Sequence, residues 1–208
     1  MVDAATLVAF VPAAVALILA PGSDTVYVLT SGLRDGRGPG VAGAAGVAVG
    51  VLVHTGGVVL GLAALLRTVP EAYALVRYAG AAYLLYLGVR TLRSEESFAL
   101  ADGTGPGRTV REGFAGGLLV NVLNPKVALF FLAFLPQFLP RDPVPSDFAA
   151  LGATYAVLSL AYLASVAVFA ESVRERLLSN PLARTAVRYL TGSILAGFGL
   201  ALAVEGPI

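Results

Sequence analysis

The chain has 208 residues, of which 57% are apolar and 13% charged, with a mean hydropathy of +0.82; soluble domains carry about 25% charged residues, so the composition excludes a soluble globular protein and makes a bilayer the natural solvent. A net charge of +1 gives no electrostatic case for nucleic acid. The lack of cysteine excludes disulfides, thiolate nucleophiles and Fe–S ligation, and the single histidine, His54, excludes any site that needs two imidazoles.

About 20 apolar residues, at about 1.5 Å each, cross the hydrocarbon core. Six segments qualify: residues 4–33, 41–66, 72–91, 114–139, 148–170 and 186–204. The opening apolar run, 7–20, resembles a signal peptide only superficially. Asp3 precedes it with no Lys or Arg, and the apolar character continues past Pro21. The expectation is a retained first membrane helix.

Within span 1, Pro21-Gly22-Ser23-Asp24 predicts a break. Pro21 removes an N–H and clashes with the preceding turn, and Gly22 adds backbone freedom. Asp24 then falls inside the membrane, where a charge costs about 2.5–3.5 kcal/mol on insertion scales. It reads as a proton-titrating group or a ligand for a substrate ammonium. The bland reading is a helix cap, in which Ser23 or Asp24 serves the half-helix that starts near Thr25.

Span 2 carries Gly46, Gly50, His54, Gly57 and Gly61 on one helical stripe. Such a stripe is expected to pack closely on another helix. His54 on it faces protein, either as a hydrogen-bonded packing residue or as a proton carrier or substrate contact. In span 3, Tyr83 and Tyr86 read as packing residues. The stretch 94–112 is the one flexible linker expected in the chain. It separates a first three-helix repeat, 1–93, from a second, 113–208.

Span 4 holds the second constellation. Asn121 and Asn124 share a face with Gly117, and Pro125 breaks the hydrogen-bond ladder and frees carbonyls. Lys126 lies near the centre of its span. It reads as a partner for a substrate carboxylate, as a partner of Asp24, or as a side chain snorkelling along its stem. Span 5 has Gly152, Tyr155, Ser159, Tyr162 and Val166 in a stripe, whose hydroxyls either line a passage or bond between helices.

The basic residues set the orientation. Arg34, Arg37, Arg90, Arg93, Arg108, Arg111, Arg174, Arg176, Arg184 and Arg188 flank or occupy loops 1–2, 3–4 and 5–6, whereas Arg67, Arg77 and Arg141 lie on the other side. The first set is expected in the cytoplasm, with both termini outside. The halves also match each other. Val76-Arg77-Tyr78 with Gly80 opens span 3, Val187-Arg188-Tyr189 with Gly192 opens span 6, and Pro21 and Pro125 interrupt spans 1 and 4. Paired broken helices in an inverted repeat are a secondary-transporter signature and put the site at the breaks near mid-membrane.

The residues at these positions resemble the LysE/RhtB translocators, bacterial exporters of amino acids and their derivatives. The likeness runs through Pro21-Gly22-Ser23-Asp24-Thr25 and Gly32-Leu33-Arg34-Asp35-Gly36-Arg37-Gly38 into the glycine-rich span 2. It continues in Tyr83-Leu84-Leu85-Tyr86-Leu87-Gly88. Its most specific part is Asn121-Val122-Leu123-Asn124-Pro125-Lys126 and the following residues to Phe138. One departure is Ser23, where the family usually has a second proline. The resemblance implies an exporter in the plasma (inner) membrane, driven by the proton or membrane-potential gradient, with an amino-acid substrate, no cofactor and no ATP site.

The expectation is therefore an all-α integral membrane protein, six transmembrane helices in a 3+3 inverted repeat with helices 1 and 4 broken. A zwitterionic substrate would lie between Pro21–Asp24 and Asn124–Lys126. Half-helix N–H groups and Lys126 suit its carboxylate. Asp24, with freed carbonyls and Tyr155 or Ser159, suits its ammonium, and proton exchange at Asp24 couples efflux to proton entry. Lipid is the surrounding partner, nucleic acid is not expected, and a homo-oligomer stays open. Two alternatives stand beside it. Efflux of a metal or other small inorganic ion is weakened by the shortage of His and Cys ligands, and no metal site is expected. An intramembrane enzyme would have to use Ser23, Asp24 and His54, of which the first two are sequence neighbours.

Overall fold

The computed structural model describes residues 2–68, 70–93, 107–140, 142–170, 172–173 and 180–204. All regular structure among them is helical. Most of the expected linker, 94–106, and Arg141, Arg174 and Arg176 lie outside the described residues.

Helix α1 (Ala4–Leu19) starts where the Asp3 carboxylate accepts the Thr6 N–H at 2.8 Å. The chain turns extended at Ala20, and α2 (Ser23–Arg34) leaves at 56° to α1. Gly36 carries the turn into α3 (Arg37–Thr68) at φ +92, a left-handed value that favours glycine. The same turn is tied to the second half of the chain. Asp35 accepts from Ser31 Oγ at 2.9 Å and from the Arg108 N–H at 3.0 Å. Helix α4 (Pro70–Arg93) completes the first half.

Helix α5 (Val110–Val122) begins with a reciprocal cap. Thr109 Oγ1 accepts the Glu112 N–H, and the Glu112 carboxylate accepts the Thr109 N–H at 2.8 Å. A short α6 (Pro125–Leu129) follows, running on through a π turn over Phe130–Phe134 and a 3₁₀ turn over Leu135–Phe138. The α5 and α6–Phe138 segments meet at 49°. Helices α7 (Pro145–Val168) and α8 (Pro181–Val204) finish the described chain. Asp147, buried at the start of α7, accepts from the Val144 N–H at 3.0 Å and the Val2 N–H at 2.7 Å.

Among the described residues, three helical segments, Arg37–Gly61, Pro145–Val168 and Thr185–Val204, are each long and apolar enough to cross a membrane, and the number is five if each bent pair is one span. The third expected span coincides with α4, a helix of 24 residues. Both breaks fall where the prolines put them, each at the opening of its half.

Helix α3 lies along α5 and α7, and α4 lies along α8. The α3–α5 contact is made by backbones. A Cβ on Gly46 would overlap the Phe114 carbonyl, one on Gly117 would overlap the Gly43 carbonyl, and one on Gly50 would sit 2.6 Å from Asn121 Oδ1. The expected span 2 stripe packs only in this first part, since Gly57 and Gly61 meet nothing within 4 Å. An aromatic cluster fills the space beyond the second break. Phe134 and Phe198 lie 4.8 Å apart, Phe10 and Phe138 5.3 Å, and Phe130 and Tyr155 5.4 Å.

Candidate functional site

The first break leaves α1 with unpaired C-terminal carbonyls. The residue at the N-cap of α2 is Gly22, in extended conformation, and no side chain caps the helix. Neither Ser23 nor Asp24 therefore takes the capping role. Ser23 is already the first helical residue, and it is exposed. Asp24 follows in the first turn, where the helix dipole favours a carboxylate.

The second break is capped by its own sequence. Asn124 Oδ1 accepts the Lys126 N–H at 3.0 Å, and Pro125 takes the first helical position, where a missing N–H costs nothing. The Lys126 side chain then crosses to the first break. Its ammonium donates to Ala20 O at 2.8 Å and to Leu17 O at 3.3 Å, satisfying the carbonyls that the break in span 1 freed. Gly22 makes room for this, because a Cβ there would lie 3.1 Å from Lys126 Nζ. The lysine does not snorkel, and among the described residues no ion pair joins it to Asp24.

Asp24 instead receives Asn121. The buried amide donates Nδ2–H to Asp24 Oδ2 at 2.9 Å. His54 Nε2 lies 3.0 Å from the Asn121 carbonyl oxygen, and its ring stacks on Phe131 at 6.3 Å. His54 thus braces the end of α5 from α3, one step behind Asp24. Three buried atoms at these breaks have no hydrogen-bond partner: Asp24 Oδ1, Asn121 Oδ1 and Asn124 Nδ2. An unsatisfied buried polar group costs about 1–3 kcal/mol, and water or a bound molecule is the ordinary partner of such atoms.

A cavity lies between the breaks and α7, lined by Ile18, Asp24, Thr25, Lys126, Tyr155, Ser159 and Leu163. Its free space is ≈ 10 Å³, room for about one water molecule. The structure brings Asp24, Lys126, Tyr155 and Ser159 onto one cavity, puts Asn121, Asn124 and His54 directly behind it, and leaves Ser23 outside its lining. Sequence reasoning missed Ile18, Thr25 and Leu163 as lining residues. Leu163 had a signal, because it continues the Tyr155–Ser159 spacing by one more turn. Tyr83 and Tyr86 lie away from the lining, with rings 6.3 Å apart.

Chemically, the arrangement offers one carboxylate oxygen with a free lone pair, one ammonium held only by backbone carbonyls, and an uncapped helix N-terminus. These groups can receive a small molecule carrying both a cation and an anion.

Comparison with known proteins finds translocators and efflux proteins. The family model for LysE type translocators matches residues 15–206. The uncharacterized membrane protein YrhP of Bacillus subtilis (strain 168) is 30% identical over 204 residues, which is 94% of this chain and 97% of that protein. The leucine efflux protein of Enterobacter sp. (strain 638) is 31% identical over 199 residues, 93% of each chain. The homoserine/homoserine lactone efflux protein of Salmonella typhimurium is 31% identical over 161 residues, 76% of each. No solved structure matches.

Proposed function

This chain belongs to the LysE type translocator family, and from that premise we propose that it exports amino acids or amino-acid derivatives across the plasma membrane, coupled to proton entry. It is a multi-pass membrane transporter and not an enzyme, as its family and its named efflux relatives are. The observation that carries the substrate reading is the meeting of Asp24 and Lys126, brought from two different broken helices to one cavity.

In this reading the substrate ammonium binds Asp24 Oδ1, the oxygen that Asn121 leaves free. The substrate carboxylate takes Lys126 from the Ala20 and Leu17 carbonyls and adds the uncapped N–H groups of α2. Tyr155 and Ser159 face the bound molecule from α7. When the ammonium leaves on the far side, Asp24 takes a proton in its place, and that exchange is the coupling step. Six spans in a 3+3 inverted repeat, with both termini outside, supply the alternating access. The cavity as it stands is too small for an amino acid, so binding requires the breaks and α7 to separate.

The test is export from proteoliposomes loaded with a panel of labelled amino acids, with and without an imposed pH gradient. Gradient-dependent loss of one class, abolished in Lys126→Ala, is the expected result. No movement of any amino acid by folded protein would overturn the reading.

A further inference from the structure

We infer that the site selects amino acids with uncharged side chains, and that the α7 face formed by Tyr155, Ser159 and Leu163 reads that side chain. This rests on the amino-acid reading above and goes further, because it divides neutral substrates from basic and acidic ones. The argument is a count of charges. Asp24 and Lys126 are the charged residues of the cavity lining. A zwitterion's own ammonium and carboxylate use both. A lysine or arginine side chain brings a second cation into the same buried space, and a glutamate side chain a second anion.

Among the described residues of α2 and α7, no spare carboxylate stands ready for a second cation. Asp35 lies about three turns along α2 from Asp24 and is engaged by Ser31 Oγ and the Arg108 N–H. Asp147 lies about two turns before Tyr155 and is engaged by the Val144 and Val2 N–H groups. What remains to meet the side chain is uncharged. Tyr155, Ser159 and Leu163 are all buried and stand four residues apart, so they form one face along α7. Ile18 of α1 adds a second aliphatic side chain to the lining. A buried charge without a partner is strongly disfavoured in such a place, whereas an aliphatic or hydroxylated side chain finds Leu163 and Ile18 or the two hydroxyls.

The test uses the full chain in proteoliposomes loaded with leucine, threonine, lysine and glutamate together, each carrying a separate label. Export ratios are read within the same vesicles, so the amount of active protein cancels. The unmodified protein is expected to export leucine and threonine about tenfold or more over lysine and glutamate, the scale of discrimination that unmatched buried polar groups give. Ser159→Asp puts a carboxylate in the middle of the reading face and is expected to shift the lysine-to-leucine ratio about tenfold toward lysine, while Ser159→Asn, of the same shape without charge, shifts it less than about twofold. Lysine exported as readily as leucine by the unmodified protein would overturn the inference, whether or not the Ser159→Asp protein folds. So would a Ser159→Asp protein that still exports leucine with an unshifted ratio. Failure of all four amino acids to move is a different result, and it would sink the amino-acid reading itself.

Discussion

Asp24→Asn keeps the shape of the side chain and removes its charge. The Asn121 Nδ2–H now donated at 2.9 Å to Asp24 Oδ2 finds an amide oxygen in the same place. A hydrogen bond to a charged acceptor contributes about 1.5–3 kcal/mol and one to a neutral acceptor about 0.5–1.5 kcal/mol, so the exchange loses about 1–1.5 kcal/mol. Against this, the variant no longer holds a charge inside a membrane helix, which costs about 2.5–3.5 kcal/mol on insertion scales. The fold should therefore be about 1–2.5 kcal/mol more stable. Export should behave oppositely. A substrate ammonium that loses its charged partner in a desolvated site loses about 2–5 kcal/mol, or about 30- to 5,000-fold in affinity. The assay pairs export from proteoliposomes at subsaturating substrate with thermal unfolding in detergent. Export within about threefold of the parent, with its gradient dependence intact, is far outside that affinity range and would refute both the ammonium site and the coupling role. A large fall in stability would refute the balance of hydrogen bond against buried charge.

Gly46→Ala and Gly57→Ala make the same change on the same helix in opposite surroundings. At Gly46 the new Cβ meets backbone atoms of Phe114 and Leu118, so thermal unfolding should show a loss of about 1–3 kcal/mol. At Gly57 it meets nothing within 4 Å and should gain up to about 1 kcal/mol from helix propensity. Thr109→Ala removes the side-chain cap of α5 and should cost about 1 kcal/mol in the same measurement, with the leucine-to-lysine export ratio unmoved. His54→Phe keeps a ring on Phe131 but removes one of two donors to the Asn121 carbonyl, which keeps the Asn124 N–H at 2.9 Å. Stability should fall by about 0.5–1.5 kcal/mol, and export should fall with it as the end of α5 that carries Asn121 loses its brace.

The breaks were legible because proline has a backbone consequence that no tertiary context removes. Pro21 and Pro125 each sit within a residue or two of a helix end in the structure. Asp24 and Lys126 were legible because a charge in an apolar run is conspicuous. Where the Lys126 ammonium goes was not. Carbonyls are present at every residue, and only the folded path of α1 brings those of Leu17 and Ala20 within reach. Ile18 and Leu163 were hidden for a related reason: in a chain so rich in apolar residues, one more aliphatic side chain carries no signal until its neighbours are known. The Ser23 or Asp24 cap failed by one position, since the extended stretch ends at Gly22 and the helix has already begun at Ser23. The glycine stripe of α3 had the correct periodicity but gave no length for the helix it would meet, and α5 ends at Val122, beside Asn121 and Gly50.

The space between Asp24 and Lys126, with room for about one water, bears on proton passage. Protons cross a low-dielectric barrier along a file of hydrogen-bonded waters, each handing its proton to the next. One water is a small part of such a file, which has to span a hydrocarbon core about 30 Å thick. The space between Asp24 and Lys126 can therefore supply about one link of such a file and no more.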